Sequence, residues 1–193
     1  MAGFYGYAAL FLIIFYESFP PTFFLPGDSL LFTTGFLASQ GVLNFPLLIA
    51  IFFLAAVGGY IFSYKMGQKI RPMFFSKDDF PENRKWFKRE HLEKTERFYD
   101  KYGSKTLIIG RFVPIVRSFA PTLAGAVEMN FRKFLKYVVI GGVFWTGGVT
   151  SVGFFLGHLI PSADFYLTPI ILGIIAVSLL PTVIEYLKNR KTK

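Results

Sequence analysis

Four charged residues lie inside long apolar stretches of the chain: Glu17 and Asp28 in one, Arg111 and Arg117 in another. If these stretches enter a membrane, four charges facing lipid would cost roughly 10 kcal/mol, at about 2.5–3.5 kcal/mol each. The cost is avoided if the two acids meet the two arginines in a hydrated cavity. There the arginines can bind a phosphate through bidentate hydrogen bonds, and a carboxyl group can exchange a proton. These residues therefore predict a site that takes a lipid phosphate or similar anion and couples its movement to protons.

The motif ESFPPT at residues 17–22 resembles RSFAPT at residues 117–122, with an acid before the first and a base before the second. Proline removes a helical hydrogen bond and its ring clashes with the preceding turn, so we expect a helix break in each motif, with Glu17 facing Arg117. Free N–H groups after the second break make Thr122 a candidate substrate-binding residue. The predicted breaks are Pro20, Pro21, Pro26 and Gly27 in the first region, and Pro114, Pro121 and Gly125 in the second.

Each charge also has a purely structural interpretation, which the sequence leaves open. Asp28 follows Pro26 and Gly27, so it could simply cap the helix that returns from the break. Arg111 could extend its side chain to the membrane interface. Glu17 and Arg117 could form a buried pair with no role in transport, since such pairs often add little net stability.

Composition indicates an integral membrane protein. The chain has 193 residues, of which 53% are hydrophobic and 17% charged, whereas soluble domains carry about 25% charge. No Lys or Arg occurs from Met1 to Tyr64. The chain has no cysteine, only two histidines, and neither an HExxH nor a GxSxG motif, so we expect no enzyme, no metal site and no cofactor. The net charge of +9 follows membrane topology and does not indicate nucleic-acid binding.

The predicted fold is all-α, with about three full transmembrane helices and two re-entrant hairpins. Unbroken apolar runs of about 20 residues predict crossings at 45–64, 137–156 and 168–187. The interrupted regions 1–38 and 106–127 predict helix–break–helix hairpins that return to the side they entered from. Twelve of the 21 Lys and Arg residues lie in 65–105, which places this loop and the basic C-terminal tail in the cytoplasm. The first hairpin then opens outward and the second inward. Residues 91–103 predict an amphipathic helix, either on the inner leaflet or packed on the hairpins.

A hairpin followed by a crossing occurs twice, and each hairpin leads into an Asn-Phe pair, at Asn44 and at Asn130. Because the hairpins open to opposite sides, we expect an inverted-topology repeat with its site near the membrane midplane; coincidence in a Gly- and Phe-rich chain is the alternative. Within one membrane domain, 1–193, the predicted parts are a first repeat (1–67), a basic loop (68–105), a second repeat (106–160), and a last span with its tail (165–193).

Two segments, FLPGDSLLFTTGFLASQG (24–41) and GRFVPIVRSFAPTLAGAVEMNFRKF (110–134), resemble the signature segments of the DedA family, also called the VTT or SNARE-associated domain family. HLEKTERFYDKYGSKT (91–106) and GIIAVSLLPTVIEYLKNRK (173–191) look like the DedA subfamily itself. The resemblance implies paired re-entrant hairpins and a bacterial inner-membrane location. It also implies transport of a lipid carrier, proposed to be undecaprenyl phosphate for some members, or a role in proton-motive-force homeostasis.

The essential membrane acids of the family match Glu17 and Asp28, and its essential arginines match Arg111 and Arg117. The chain departs from the family pattern at Gly59, where an acid is common, and at Gln68, where an arginine is common, so a second charge pair is missing. Many relatives also carry about twenty more residues before the first hairpin, so we expect this N-terminus to be short or incomplete.

The leading hypothesis is a proton-coupled flippase for undecaprenyl phosphate or a related phospholipid, in which the arginines hold the headgroup while the two acids titrate and gate. The alternative is a secondary transporter for small ions or cationic drugs, in which the acids bind the cation. A membrane enzyme acting on lipid phosphates and a structural scaffold are the two further alternatives. The expected partners are membrane lipids and protons, with no nucleic acid; a homodimer is left open. The sequence does not determine the lipid or the direction of transport.

Overall fold

The computed structural model describes residues 3–19, 26–75, 105–112 and 114–159, and within these ranges the chain is helical and has no strand. The predicted crossing at 168–187, the amphipathic helix at 91–103 and the breaks at Pro20 and Pro21 lie outside the described residues. The helices are α1 (Phe4–Glu17), α2 (Gly27–Ser39), α3 (Phe45–Phe75), α4 (Thr106–Ile109), α5 (Pro114–Ala126), α6 (Phe131–Gly142) and α7 (Gly148–Leu159). A 3₁₀ turn, Gly110–Phe112, separates α4 from α5, and a π-helical turn, Val143–Gly147, joins α6 to α7.

Two of the predicted crossings lie in helices that are long and apolar enough to span a membrane: Phe45–Arg71 within α3, and Phe131–Leu159. Both helices extend beyond the predicted limits. With 31 residues, α3 is about 46 Å long, whereas the hydrocarbon core of a bilayer is about 30 Å thick. The last turns of α3, which contain Lys65, Lys69 and Arg71, account for the difference.

Both interrupted regions consist of two helices separated by a break, and in the second region the break lies directly before Pro114, the first of its three predicted positions. Pro114 begins α5, a position where its missing N–H removes no helical bond. Pro121 and Gly125 were predicted as breaks, and the structure corrects both, because α5 is continuous from Pro114 to Ala126. An internal proline costs a helix about 3 kcal/mol. Packing offsets that cost here, since Ala120 and Ala124 are buried in a cluster with Tyr60, Tyr64, Leu107, Phe134 and Val138.

By its contacts the chain forms two compact units. The first contains α1, α2, residues 45–55 of α3, the π-helical turn and α7. The second contains residues 56–75 of α3, together with α4, α5 and α6.

In the first unit, α2 and α7 cross with their backbones in contact at two glycines. A Cβ atom on Gly35 would overlap the carbonyl oxygen of Thr150, and a Cβ atom on Gly153 would overlap that of Phe32. Each overlapped carbonyl belongs to the residue three positions before the opposite glycine. Small residues at such positions allow helices in a membrane to approach closely.

In the second unit, α3 and α5 cross in the same reciprocal way. A Cβ atom on Gly67 would overlap the carbonyl oxygen of Thr122, and a Cβ atom on Gly125 would overlap that of Tyr64. Again each carbonyl lies three positions before the opposite glycine. Gly125 is therefore required for helix contact and not for a chain break.

The turns that follow α2 and α5 are also alike. Val42 donates to the carbonyl of Leu37 and Met129 to that of Ala124, which is the Schellman pattern. The preceding residue has a positive φ in both cases, 76° at Gly41 and 52° at Glu128. The side chains of Asn44 and Asn130 then accept backbone N–H bonds and cap α3 and α6. The repeated Asn-Phe pair of the sequence thus marks the start of a long helix in each unit.

Candidate functional site

Glu17 supplies a cap for α2 from outside that helix. It is the last residue of α1, only 2% of it is exposed, and its Oε1 accepts the N–H of Gly27 at 2.9 Å. Pro26, the residue at the N-cap position, makes no side-chain capping bond. A Cβ atom on Gly27 would overlap the Glu17 carboxyl group. Gly27 therefore leaves room for a carboxylate at the helix N-terminus, where the helix dipole favours negative charge.

Asp28 lies in the first turn of α2 and is exposed, and its Oδ1 accepts the indole N–H of Trp145 at 2.6 Å. Because it follows the first helical residue, Asp28 does not N-cap α2, and that structural interpretation is wrong. Trp145 belongs to the π-helical turn and is 2% exposed. Asp28 thus connects α2 to a turn of irregular hydrogen bonding, a feature that often marks functional sites in helices.

Arg111, in the 3₁₀ turn before α5, is 1% exposed, so it does not extend to a membrane interface as one interpretation held. Its guanidinium carbon lies 3.9 Å from the centre of the Tyr60 ring, and its Nη2 donates to the carbonyl of Val138 at 3.2 Å. A desolvated cation–π contact is worth about 2 kcal/mol or more. The side chain also runs against Gly141, where a Cβ atom would lie 3.1 Å from its Cδ. Within the described chain, its Nε has no hydrogen-bond partner.

Arg117 lies in the first half of α5, is 3% exposed and interacts electrostatically with Arg111. The second unit therefore buries two guanidinium groups near each other. Thr122, five residues later in α5, is also buried, and its hydroxyl has no hydrogen-bond partner among the residues described. The expectation that Thr122 begins a half-helix is wrong, because it lies in the middle of α5. Since no N–H end of a helix is present at Thr122, this residue cannot offer an anion the backbone groups that the sequence suggested.

The structure brings the predicted site residues together in two sets. Glu17, Gly27 and Asp28 form a carboxylate set at the start of α2, and Arg111 and Arg117 form a cationic set before and within α5. The predicted pairing of Glu17 with Arg117 stays a prediction. Their motifs are not equivalent, because Glu17 ends a helix whereas Arg117 lies inside one.

Two aromatic residues of the site were missed by sequence reasoning. The Tyr60 ring makes a cation–π contact with the Arg111 guanidinium, and the Trp145 indole N–H donates a hydrogen bond to Asp28. A signal for Trp145 was present: tryptophan concentrates at membrane interfaces, whereas Trp145 lies in the middle of a predicted crossing. No comparable signal marks Tyr60 in a chain with 10 tyrosines. In the part of the chain that the structure describes, no three His, Cys, Asp or Glu side chains are grouped as metal ligands.

Residues 25–155 match the model of the VTT domain. The chain is 44% identical over 192 residues to Protein DedA of Escherichia coli K12, covering 98% of this chain and 85% of that protein. It is 40% identical to an uncharacterized membrane protein of Mycobacterium leprae, covering 94% of this chain and 81% of the relative. It is 32% identical to the inner membrane protein YqjA of Escherichia coli K12, covering 78% of this chain and 67% of the relative. No solved structure matches the chain.

Proposed function

This chain belongs to the DedA family of VTT-domain membrane proteins, and on that premise we propose that it is a proton-coupled flippase for a lipid phosphate such as undecaprenyl phosphate. In this proposal Arg111 and Arg117 bind the phosphate, while Glu17 and Asp28 take up and release protons. The protein itself performs no covalent chemistry and needs no cofactor.

The burial of Arg111 carries the proposal. A guanidinium group that is 1% exposed is costly unless its N–H groups are used, and here the Nε has no partner within the described chain. Tyr60 and the Val138 carbonyl hold the group in place without neutralising its charge. A phosphate would supply both the charge and the missing acceptor. In the proposal the phosphate also accepts hydrogen bonds from Arg117, which is buried near Arg111.

The carboxylate set supports proton coupling. Glu17 is buried, yet its charge is stabilised by the N–H of Gly27 and by the dipole of α2. A proton on Glu17 would weaken this charge-assisted bond and loosen the start of α2. Asp28, which is exposed, would exchange protons with the transport path.

The finer features of the fold belong to the same proposal. The breaks between α1 and α2 and between α4 and α5 support re-entrant hairpins in an inverted repeat, and the matching glycine crossings and Schellman turns support the repeat itself. The basic residues in 65–105 and in the tail favour a cytoplasmic position for both, in the bacterial inner membrane.

Reconstituted protein tests the function. We expect it to change the leaflet distribution of labelled undecaprenyl phosphate in proteoliposomes, with a rate that varies with pH. Arg117→Ala should abolish the movement, and Glu17→Gln should remove its pH dependence. Arg132→Ala is the matched control, because Arg132 is exposed near the start of α6, and it should transport at the parent rate. Unaltered transport by Arg117→Ala would refute the proposed role of the arginines.

The exposed Asp28 carboxylate favours one alternative, a secondary transporter for small ions or cationic drugs. In that function the cation would bind the Asp28 carboxylate, whose Oδ1 also accepts the Trp145 N–H. Cation/proton exchange by the same vesicles, without any lipid movement, would favour this function over the flippase.

A further inference from the structure

Trp145 places a buried hydrogen-bond donor on an acid of the candidate site. The residue is 2% exposed, and its indole N–H bonds to Asp28 at 2.6 Å. A buried indole N–H normally requires a partner, and a bond to a carboxylate is among the stronger ones. Glu17, the second member of the carboxylate set, accepts the N–H of Gly27. Trp145 therefore connects the π-helical turn directly to Asp28.

The π-helical turn delivers the indole to Asp28. A π-helical turn holds one residue more than an α-helical turn, and successive residues of an α-helix are about 100° apart around its axis. If Val143–Gly147 were regular α-helix, Trp145 would be rotated relative to α7, whose face is fixed on α2 by Gly153. The turn is thus coupled to the direction of the indole N–H.

Two glycines, Gly147 and Gly148, lie where the π-helical turn meets α7. A Cβ atom on Gly147 or on Gly148 would have no neighbour within 4 Å among the described residues. Glycine also lowers the preference for a regular helix by about 1 kcal/mol relative to alanine. Gly147 and Gly148 therefore present no side chain that would hold the backbone of the turn in one register.

We propose that Trp145 is a positioning residue for transport: its indole N–H holds the Asp28 carboxylate, and a register change in the π-helical turn Val143–Gly147 releases it. The proposal rests on the proposed function for what Asp28 does, but the bond itself can be tested without transport. Once the indole N–H has released it, the Asp28 carboxylate binds a proton or a cationic group.

A double-mutant cycle on transport provides the first test. Trp145→Phe keeps a buried aromatic ring, though a smaller one, and removes the N–H, and we expect its rate to fall about tenfold, as for one charge-assisted hydrogen bond. Asp28→Asn should be slower still. Because Trp145 acts through Asp28, the double variant should be no slower than Asp28→Asn alone. Phe144→Leu, an exposed aromatic in the same turn, is the matched control and should keep the parent rate.

Indole NMR provides the second test. The chain has two tryptophans, so in a Trp86→Phe background Trp145 gives the single indole N–H signal of ¹⁵N-labelled protein in nanodiscs. We expect Asp28→Asn to shift this signal upfield, toward weaker hydrogen bonding, and Glu17→Gln to move it much less.

The proposal would be overturned if the losses of transport rate in Trp145→Phe and Asp28→Asn add up in the double variant. It would also be overturned if Asp28→Asn leaves the indole N–H signal unshifted. If the parent protein moves no lipid phosphate while the indole signal still depends on Asp28, the flippase function fails and the Trp145 bond stands.

Discussion

At the scale of single residues, Glu17 provides the N-terminal cap that Pro26 does not. The carboxylate reaches Gly27 from the end of α1, so the bond at 2.9 Å joins the two helices on either side of the helix break. The same side chain is thus both a structural cap and the candidate proton carrier. If Glu17 takes up protons as proposed, each proton would weaken the bond that caps α2.

Gly27→Ala tests this close approach. The new Cβ would overlap the Glu17 carboxyl group, and we expect the free energy of unfolding to fall by about 1–3 kcal/mol, as for other overpacked sites. Thermal unfolding in detergent measures the change. Gly3→Ala is the control, because a Cβ atom there meets nothing within 4 Å. Equal stability of the two variants would mean that Glu17 does not lie against Gly27.

At the scale of helices, each unit depends on one crossing in which backbones touch. Each crossing contains two such glycines, Gly35 with Gly153 and Gly67 with Gly125. We expect alanine at any one of them to lower the free energy of unfolding by about 1–3 kcal/mol, because a backbone carbonyl oxygen cannot rotate away as a side chain can. Combining the two changes of one crossing should cost less than their sum, since the first already separates the helices. Gly148→Ala, which has open space, should not destabilise α7. Thermal unfolding of these variants measures the losses. If the losses of the two changes within one crossing were fully additive, the reciprocal contact would be contradicted.

The helices show what the sequence could predict and what it could not. Hydropathy located both described crossings, because the requirement for apolar length is local. The Asn-Phe pairs were noted only as signs of a repeat, although Asn44 and Asn130 cap α3 and α6, a local feature that the sequence could have indicated. The break predicted at Pro121 is wrong, because packing around Ala120 and Ala124 offsets the local cost of a proline inside the helix. The Trp145–Asp28 bond depends on a helix register and on residues 117 positions apart, and no local pattern encodes either.

At the scale of the whole molecule, the glycine crossings join distant parts of the chain. The partner of α2 is α7, near the end of the described residues, whereas the partner of α5 is α3. We therefore expect fragments 1–90 and 91–193 to be unstable when expressed separately and to copurify when expressed together. Affinity purification through a tag on one fragment measures this. Gly35→Ala combined with Gly125→Ala should reduce copurification, and stable folding of either fragment alone would contradict the expectation.

Partners are exchanged between the two halves of the chain: α2 packs on α7, which follows α5, and α5 packs on α3, which follows α2. A forerunner of half this length, with one hairpin and one long helix, would have carried both glycine faces. If its hairpin packed as the hairpins do here, it joined the long helix of a second copy, in a domain-swapped dimer. Duplication and fusion of its gene would then have made an obligatory contact between two molecules into a contact within one, and the two copies could afterwards diverge into an acidic half and a basic half.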